Sequence, residues 1–157
     1  MTERRNHRYA VAVAHQAGRL QCTRLDRTAL TGLDEAVAAV RGAAASDESF
    51  GFFNADESFF LILRVTPAGT APLLSDARAA RRHTLAAQAL DASGAAPPGG
   101  DAGGALPAGD LDIVSGLGLT ADGMAAVLAG PEDLPDDQLR AIAERCGFAA
   151  EFDRVKT

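Results

Sequence analysis

Hydrophobic and polar residues alternate along the first part of the chain, and this period of two predicts a β-hairpin. The segment YAVAVAH, which begins at Tyr9, alternates small and β-branched residues, and RLQCTRL, which begins at Arg19, alternates again. A turn that contains a glycine separates them at residues 16–18. Two alternating segments joined by such a turn are typical of paired antiparallel strands.

The period then changes to that of a helix. Leu33, Val37 and Val40 recur every three to four residues, and Asp34 lies in the first turn, where the helix dipole favours a negative charge. We therefore expect one helix that packs across the hairpin.

Two further apolar segments, FGFFN and SFFLILRVT, predict a second pair of strands joined by a short turn. Large apolar residues occupy both alternating faces of the second segment: Phe59, Leu61, Leu63 and Val65 on one side, and Phe60 and Ile62 on the other. A strand that is apolar on both faces is buried on both faces. We expect it to lie in the centre of a sheet that is covered on each side.

The segment APLLS predicts a fifth strand, which Pro72 places at a sheet edge because proline has no amide hydrogen to donate. Ser75 or Asp76 then caps a second helix, DARAARRHTLAAQAL, that runs to about Leu90. The order ββαβββα predicts an α+β fold with a sheet domain over residues 1–91.

Residues 92–108, ASGAAPPGGDAGGALPA, contain Leu106 as their single large apolar residue. Such a composition cannot form a packed core, so we expect a flexible Gly/Pro/Ala linker. The third part of the chain, residues 109–157, is predicted to be a small acidic helical segment.

Three short helical patterns support that prediction. They cover Leu111 to Leu117, Thr120 to Ala129 and Pro135 to Cys146, and Gly147 is placed to end the last of them. The pattern alone leaves open where these helices lie relative to the sheet.

Charge is distributed unevenly along the 157 residues, whose formal net charge is −6. Residues 1–91 carry eleven Lys/Arg and ten Asp/Glu, whereas residues 110–157 carry four and ten. Broad binding to nucleic acid requires many cations to replace the counterions of the phosphates, so this balance argues against it. A local basic patch is still allowed.

No segment is predicted to target or cross a membrane. The apolar run after the basic start MTERRNHR ends at His15, too early for a signal peptide, and no stretch approaches the roughly 20 apolar residues of a membrane span. We therefore expect a cytoplasmic protein, in which Cys22 and Cys146 are reduced, buried thiols.

The glycine- and aspartate-rich stretch GDLDIVSGLGLTADG, residues 109–123, invites comparison with phosphate and calcium loops. A phosphate loop lies between a strand and a helix, whereas the predicted linker precedes this stretch. Gly116, Gly118 and Gly123 also do not have the G-x-G-x-x-G spacing of such a loop. The three aspartates lack the alternating oxygen ligands and the final glutamate of a calcium loop. We interpret the glycines as helix stops, followed by a new helix that Thr120 caps.

The residues required for catalysis are not grouped in recognisable patterns. No histidine has a cysteine or a second histidine within one helical turn, as a zinc site would need. Ser75 lacks the glycines of a nucleophile elbow, so capping by Ser75 and Asp76 explains that segment. We expect no enzymatic activity, no cofactor, no catalytic residue and no metal site.

One basic cluster stands out from the rest of the sequence. Arg78, Arg81 and Arg82 are spaced so that they share one face of the predicted second helix. A solvated helix face is one interpretation of this ridge. The other is a contact for a partner or for phosphate, in RNA or on an acidic protein surface.

Three short stretches, SDARAA, GDLDIVSGLGL and LPDDQLRAIAERCGF, together resemble the actinobacterial tRNA adenosine deaminase-associated protein family. The resemblance implies an accessory protein that associates with the deaminase and that contacts tRNA only weakly or through the enzyme. It does not imply catalysis by this chain, which also lacks the H-x-E and P-C-x-x-C motifs of zinc deaminases.

The order ββαβββα is also similar to profilin-like and roadblock-like scaffolds. This likeness is one of fold alone and transfers no function. It leaves an alternative open, in which the chain is a dimeric or small-ligand-binding regulatory scaffold unrelated to tRNA editing. A homodimer through a sheet edge or a helix is what this alternative predicts.

Overall fold

The computed structural model describes residues 8–16, 18–43, 48–56, 59–94, 107–129 and 134–156. These residues form an α+β fold around one antiparallel sheet of six strands, in the order β2-β1-β3-β4-β5-β6. The strands are β1 Tyr9–Gln16, β2 Arg19–Arg24, β3 Ser49–Asp56, β4 Phe59–Thr66, β5 Gly69–Leu74 and β6 Ala108–Gly109. The helices are α1 Leu33–Ala43, α2 Thr84–Ser93, α3 Ala121–Leu128, α4 Pro135–Cys146 and α5 Ala149–Lys156. The predicted α+β class and the order ββαβββα are confirmed.

The central strands are apolar on both faces, as the sequence pattern predicted. β4 pairs with β3 and β5 along its length, and Phe59 to Leu63 are fully buried. Helices cover each face of the sheet, so the protein has three layers. The hydrophobic core is accordingly divided into two clusters, one on each side of the sheet.

The first face is covered by α1, α2 and two short 3₁₀ helices, Arg27–Leu30 and Ala77–Arg81. Its buried residues include Phe53, Leu61 and Leu63 from the sheet. The side-chain oxygen of Gln88, in α2, accepts a hydrogen bond from the Leu33 amide at 2.7 Å. This bond satisfies one of the free amides at the start of α1 and joins the two helices.

The second face is covered by the C-terminal helices, whose position the sequence pattern left open. Phe148 and Phe152 contact Phe52 of β3 edge to face, with ring centroids 5.5 and 5.9 Å apart. The Tyr9 hydroxyl of β1 donates a hydrogen bond of 2.7 Å to Asp136 of α4. Sheet and C-terminal helices therefore share one apolar cluster.

Helix ends follow the sequence signals. The Thr120 hydroxyl accepts the Gly123 amide and begins α3, Pro135 is the first residue of α4, and Gly147 ends α4 in the left-handed conformation, with φ of 87°. The predicted patterns at Thr120–Ala129 and Pro135–Cys146 are thus confirmed.

Other local predictions are wrong in part. The predicted helix over Leu111 to Leu117 is a turn followed by a 3₁₀ helix, Ser115–Leu117, and α5 was not predicted. β5 is not the edge strand, because β6 lies beyond it. Pro72 is tolerated there because its carbonyl points away from β4 and accepts the Asp110 amide at 3.1 Å. The N–H of a strand residue points to the same side as its carbonyl, so the hydrogen that proline lacks would not have bonded to β4.

The predicted linker, residues 92–108, lies mostly outside the described residues. At its ends, α2 continues to Ser93 and Gly94 follows in the left-handed conformation, while Ala108 pairs with Leu74 of β5. The division into a sheet domain and a separate helical segment remains a prediction.

Both cysteines are free and buried in the cluster of the second face. Loss of solvation on burial raises the pKa of Cys22 to about 12 and that of Cys146 to about 11, from an ordinary value of 9.0. Burial, followed by the hydrogen bond to Asp136, also raises the pKa of Tyr9. All three groups therefore favour the neutral form in the folded chain.

These shifts predict loss of stability in alkali. The folded chain holds these protons more tightly than the unfolded chain, so the stabilisation is complete below pH 9 and is lost as pH rises towards 11 and 12. Urea midpoints measured from pH 7 to pH 11 should be level at first and then fall. Replacement of Cys22 by valine should reduce the fall, whereas titration of the native thiols near pH 9 would contradict the prediction.

Candidate functional site

The arginines singled out from the sequence follow β5, where the chain leaves the sheet. Asp76 accepts the Arg78 amide at 3.1 Å and begins the 3₁₀ helix Ala77–Arg81. Its carboxylate also accepts three bonds from the Arg78 guanidinium, Nε to Oδ1 at 2.9 Å, Nε to Oδ2 at 3.1 Å and Nη2 to Oδ2 at 2.6 Å. This pairing raises the pKa of Arg78 and directs its side chain back onto the cap.

The single helix predicted from residue 76 to Leu90 is wrong, because the chain forms the 3₁₀ helix Ala77–Arg81, which contains Arg78 and Arg81, and then begins α2 separately. The chain leaves the 3₁₀ helix at Arg82, and His83 is extended, with φ of −134° and ψ of 123°, before α2 begins. The His83 ring packs against Phe59, with centroids 5.1 Å apart. This tertiary contact accompanies the break and outweighs the weak local preference for a continuous helix.

Because of the break, Arg82 joins a different group of residues. It lines a cleft of about 430 Å³ together with Arg8, which precedes β1, and Arg27, in the first 3₁₀ helix. These three arginines are exposed and come from three separate parts of the chain. Arg82 therefore has two arginine neighbours in space that the sequence pattern did not predict.

The start of α2 forms another side of the same cleft. His83 and Thr84 line it, and the buried residues Leu30 and Ala55 provide an apolar part of its wall. His83 is the N-cap of α2 and makes no side-chain capping bond. Positive charge, a helix N-terminus and apolar surface thus meet at one concave site.

Ser75 has a structural role in the sheet. Ser75 is buried, and its side-chain oxygen Oγ accepts a hydrogen bond from the Phe60 amide at 2.8 Å. Its own amide donates to the Phe60 carbonyl at 3.0 Å. These bonds extend the pairing of β5 with β4 by one residue. Asp76, rather than Ser75, caps the helix that follows.

The glycine-rich stretch at residues 109–123 serves as a connection that packs on the sheet. Asp110 accepts the Asp112 amide at 2.9 Å in a side-chain turn, and Ile113 and Val114 are buried in the second core cluster. Gly118 has a φ of 116°, which a residue with a side chain rarely adopts. Gly118 follows the 3₁₀ helix Ser115–Leu117 directly, which agrees with its interpretation as a helix stop.

Within the parts of the chain that the structure describes, no group of three or more His, Cys, Asp or Glu side chains is placed to hold a metal ion. None of the described helices has the length and apolar character that a membrane span requires, the longest being α4 with 12 residues. The expectations of no cofactor and no catalysis remain predictions.

Sequence reasoning missed the contribution of Arg8 and Arg27 to the cleft. No local pattern links either residue to Arg82, because Arg8 and Arg27 lie 19 positions apart and Arg27 and Arg82 lie 55 positions apart. Only the pairing of β1 with its neighbours and the packing of the 3₁₀ helix bring them together. The basic N-terminal segment was the one available signal.

The fold and this cleft define a three-layer α+β protein with an arginine-lined surface site. The chain belongs to the family described as Rv3753c-like tRNA adenosine deaminase-associated protein, which matches residues 8–149. The family is described as associated with the deaminase and not as the deaminase itself. The resemblance stated from the three sequence stretches is confirmed.

One relative shows how far the similarity extends. Protein Rv3753c from Mycobacterium tuberculosis, strain ATCC 25618 / H37Rv, is 36% identical over 149 residues, which cover 94% of this chain and 86% of the relative. That organism is an actinobacterium, as the resemblance implied. No solved structure was found to match the chain.

Proposed function

We propose that this chain is a non-catalytic accessory protein that binds the tRNA adenosine deaminase of wobble-inosine formation and modulates it. Membership of the deaminase-associated family over residues 8–149 is the observation that supports the proposal. The chain contributes binding surface, and the deaminase contributes the zinc chemistry.

Charge favours binding to the enzyme before binding to tRNA. The chain has a net charge of −6, so a few exposed arginines provide only weak, salt-sensitive attraction for a polyanion. Arg81 and Arg82 are exposed, and Arg78 forms an ion pair with Asp76. In this proposal the arginines touch tRNA phosphate once the deaminase has bound the tRNA.

A titration of the purified deaminase from the same organism tests this function. The wild-type chain should bind the enzyme and change the rate of inosine formation in tRNA, and Arg81→Ala/Arg82→Ala should bind it but change the rate less. Arg78 is retained in this variant because its loss would remove the ion pair at Asp76. The triple variant that also carries Arg78→Ala should show at least the same loss.

Arg145→Ala is the matched control, since Arg145 is an exposed arginine at the end of α4, in the layer on the other face of the sheet. It should behave as the wild type. A wild-type chain that recovers only itself or a small ligand from the native lysate, and leaves inosine formation unchanged, would replace this proposal with the regulatory-scaffold alternative.

A further inference from the structure

The cleft beside the start of α2 has a strong local excess of positive charge. Arg8, Arg27 and Arg82 line it, and none of its described lining residues is acidic. None of the three forms an ion pair or a side-chain hydrogen bond with another residue that the structure describes, whereas Arg78, Arg140 and Arg154 do. Three arginines that line one cleft, with no acidic residue among its described lining residues, bring like charges near one another, and an anionic ligand would relieve their repulsion.

The backbone of α2 adds donors to the same place. The first intrahelical bond of this 10-residue helix runs from the Ala87 amide to the His83 carbonyl, at 3.0 Å. The amides of the preceding residues in the first turn, beginning at Thr84, have no acceptor within the helix. A helix N-terminus of this kind attracts anions through its free amides and its dipole.

His83 is held rigidly at the start of α2. Its Nδ1 atom is shielded from solvent and has no hydrogen-bond partner among the described residues, while its ring is held against Phe59. His83 lines the cleft through its other atoms, since an atom shielded from solvent cannot contact a ligand there, so the residue shapes the wall of the site.

We propose that this cleft binds the phosphate group of a small phosphorylated metabolite of about mononucleotide size. A phosphate monoester carries nearly two negative charges at neutral pH and accepts several hydrogen bonds, which three arginines and a helix N-terminus complement. The cleft volume of about 430 Å³ lies within the range of small-ligand pockets and exceeds that of phosphate alone. Leu30 and Ala55 offer apolar surface to the rest of the ligand.

The small ligand is favoured over a nucleic-acid strand by the form of the site. An RNA backbone is bound by a positive strip that follows several phosphates, whereas here the charge is concentrated around one cleft on an acidic protein. This inference does not depend on the accessory function, because ligand binding is measured on the purified chain without the deaminase.

Isothermal titration calorimetry of the full chain with adenosine 5′-monophosphate, inorganic phosphate and adenosine tests the proposal. The monophosphate should bind saturably at one site, phosphate should compete with it, and adenosine should bind at least tenfold more weakly. Arg27→Ala and Arg82→Ala should each weaken monophosphate binding by about tenfold to a hundredfold, as expected for a lost charge-assisted hydrogen bond. The double variant Arg8→Ala/Arg27→Ala, which retains Arg82, should abolish monophosphate binding.

Two controls keep the result interpretable. Arg145→Ala removes an exposed arginine outside the cleft and should retain wild-type affinity, and circular dichroism should show that each exposed-residue variant remains folded. A single-stranded RNA without a terminal phosphate should bind more weakly than the monophosphate. The proposal is overturned if that RNA binds more tightly than the monophosphate, or if neither adenosine 5′-monophosphate nor inorganic phosphate binds. It is also overturned if Arg145→Ala loses as much affinity for the monophosphate as the cleft variants do.

Discussion

Phe152→Ala is expected to destabilise the chain by about 3–5 kcal/mol, a large part of the roughly 5–15 kcal/mol that holds an ordinary domain folded. The Phe152 side chain is fully buried in α5, between the sheet and the rest of the C-terminal layer. Its ring centroid lies 5.7 Å from Tyr9, 5.9 Å from Phe52 and 6.1 Å from Phe148. Truncation removes all three aromatic contacts and leaves a cavity between helix and sheet.

Urea unfolding followed by tyrosine fluorescence would measure this loss, because the single tyrosine, Tyr9, is one of the affected contacts. Arg154→Ala, two residues further along α5, is the control: Arg154 is exposed and pairs with Glu151, so its midpoint should stay close to that of the wild type. If Phe152→Ala unfolded at the wild-type midpoint, the C-terminal helices would not be packed on the sheet as described.

Gly51→Ala is expected to destabilise the chain by about 1–3 kcal/mol through overpacking. Gly51 lies in β3 beneath α1, and a Cβ atom there would lie 2.5 Å from the Phe53 ring and 2.7 Å from Cγ2 of Val40. Both neighbours are fully buried and cannot move aside freely. The absence of a side chain at Gly51 is thus what lets α1 approach the sheet.

A double-mutant cycle separates this clash from a general effect on the strand. Val40→Ala removes one of the two obstructing groups, so the combined variant should be more stable than the sum of the two single losses predicts. Gly42→Ala is the matched control, since Gly42 is exposed within α1 and nothing lies within 4 Å of an added Cβ. It should leave stability unchanged or raise it by up to about 1 kcal/mol. Strictly additive losses at Gly51 and Val40 would contradict the proposed contact.

Elements with a strong periodic signal were predictable because their burial is encoded locally. The alternation along β4 predicts which residues lie on each of its two faces. The structure places Leu61 and Leu63 in one core cluster and Phe60 and Ile62 in the other. The apolar stripe of α4, with Pro135 at its start and Gly147 beyond its end, gave that helix its observed bounds. In each case a repeated choice of residue type over many positions outweighs any single contact.

Short elements and the candidate site were harder to predict from the sequence. β6 is two residues long and exists because its backbone pairs with Leu73 and Leu74, which no side-chain pattern records. The second predicted helix is broken where His83 meets Phe59, a contact between residues 24 positions apart. Exposed arginines carry no periodic burial signal, so the partner contact proposed for Arg78, Arg81 and Arg82 remains a prediction.

The sequence by itself determined the α+β class, the strand order along the chain, the interior position of β4 and the family to which the chain belongs. These depend on hydrophobic period, caps and motifs, which act over a few residues at a time. Tertiary structure alone decided that the C-terminal helices cover the second face, and that Arg8, Arg27 and Arg82 line one cleft at the start of α2. Both depend on contacts between distant residues, and such contacts form only when the strands pair and the whole core packs.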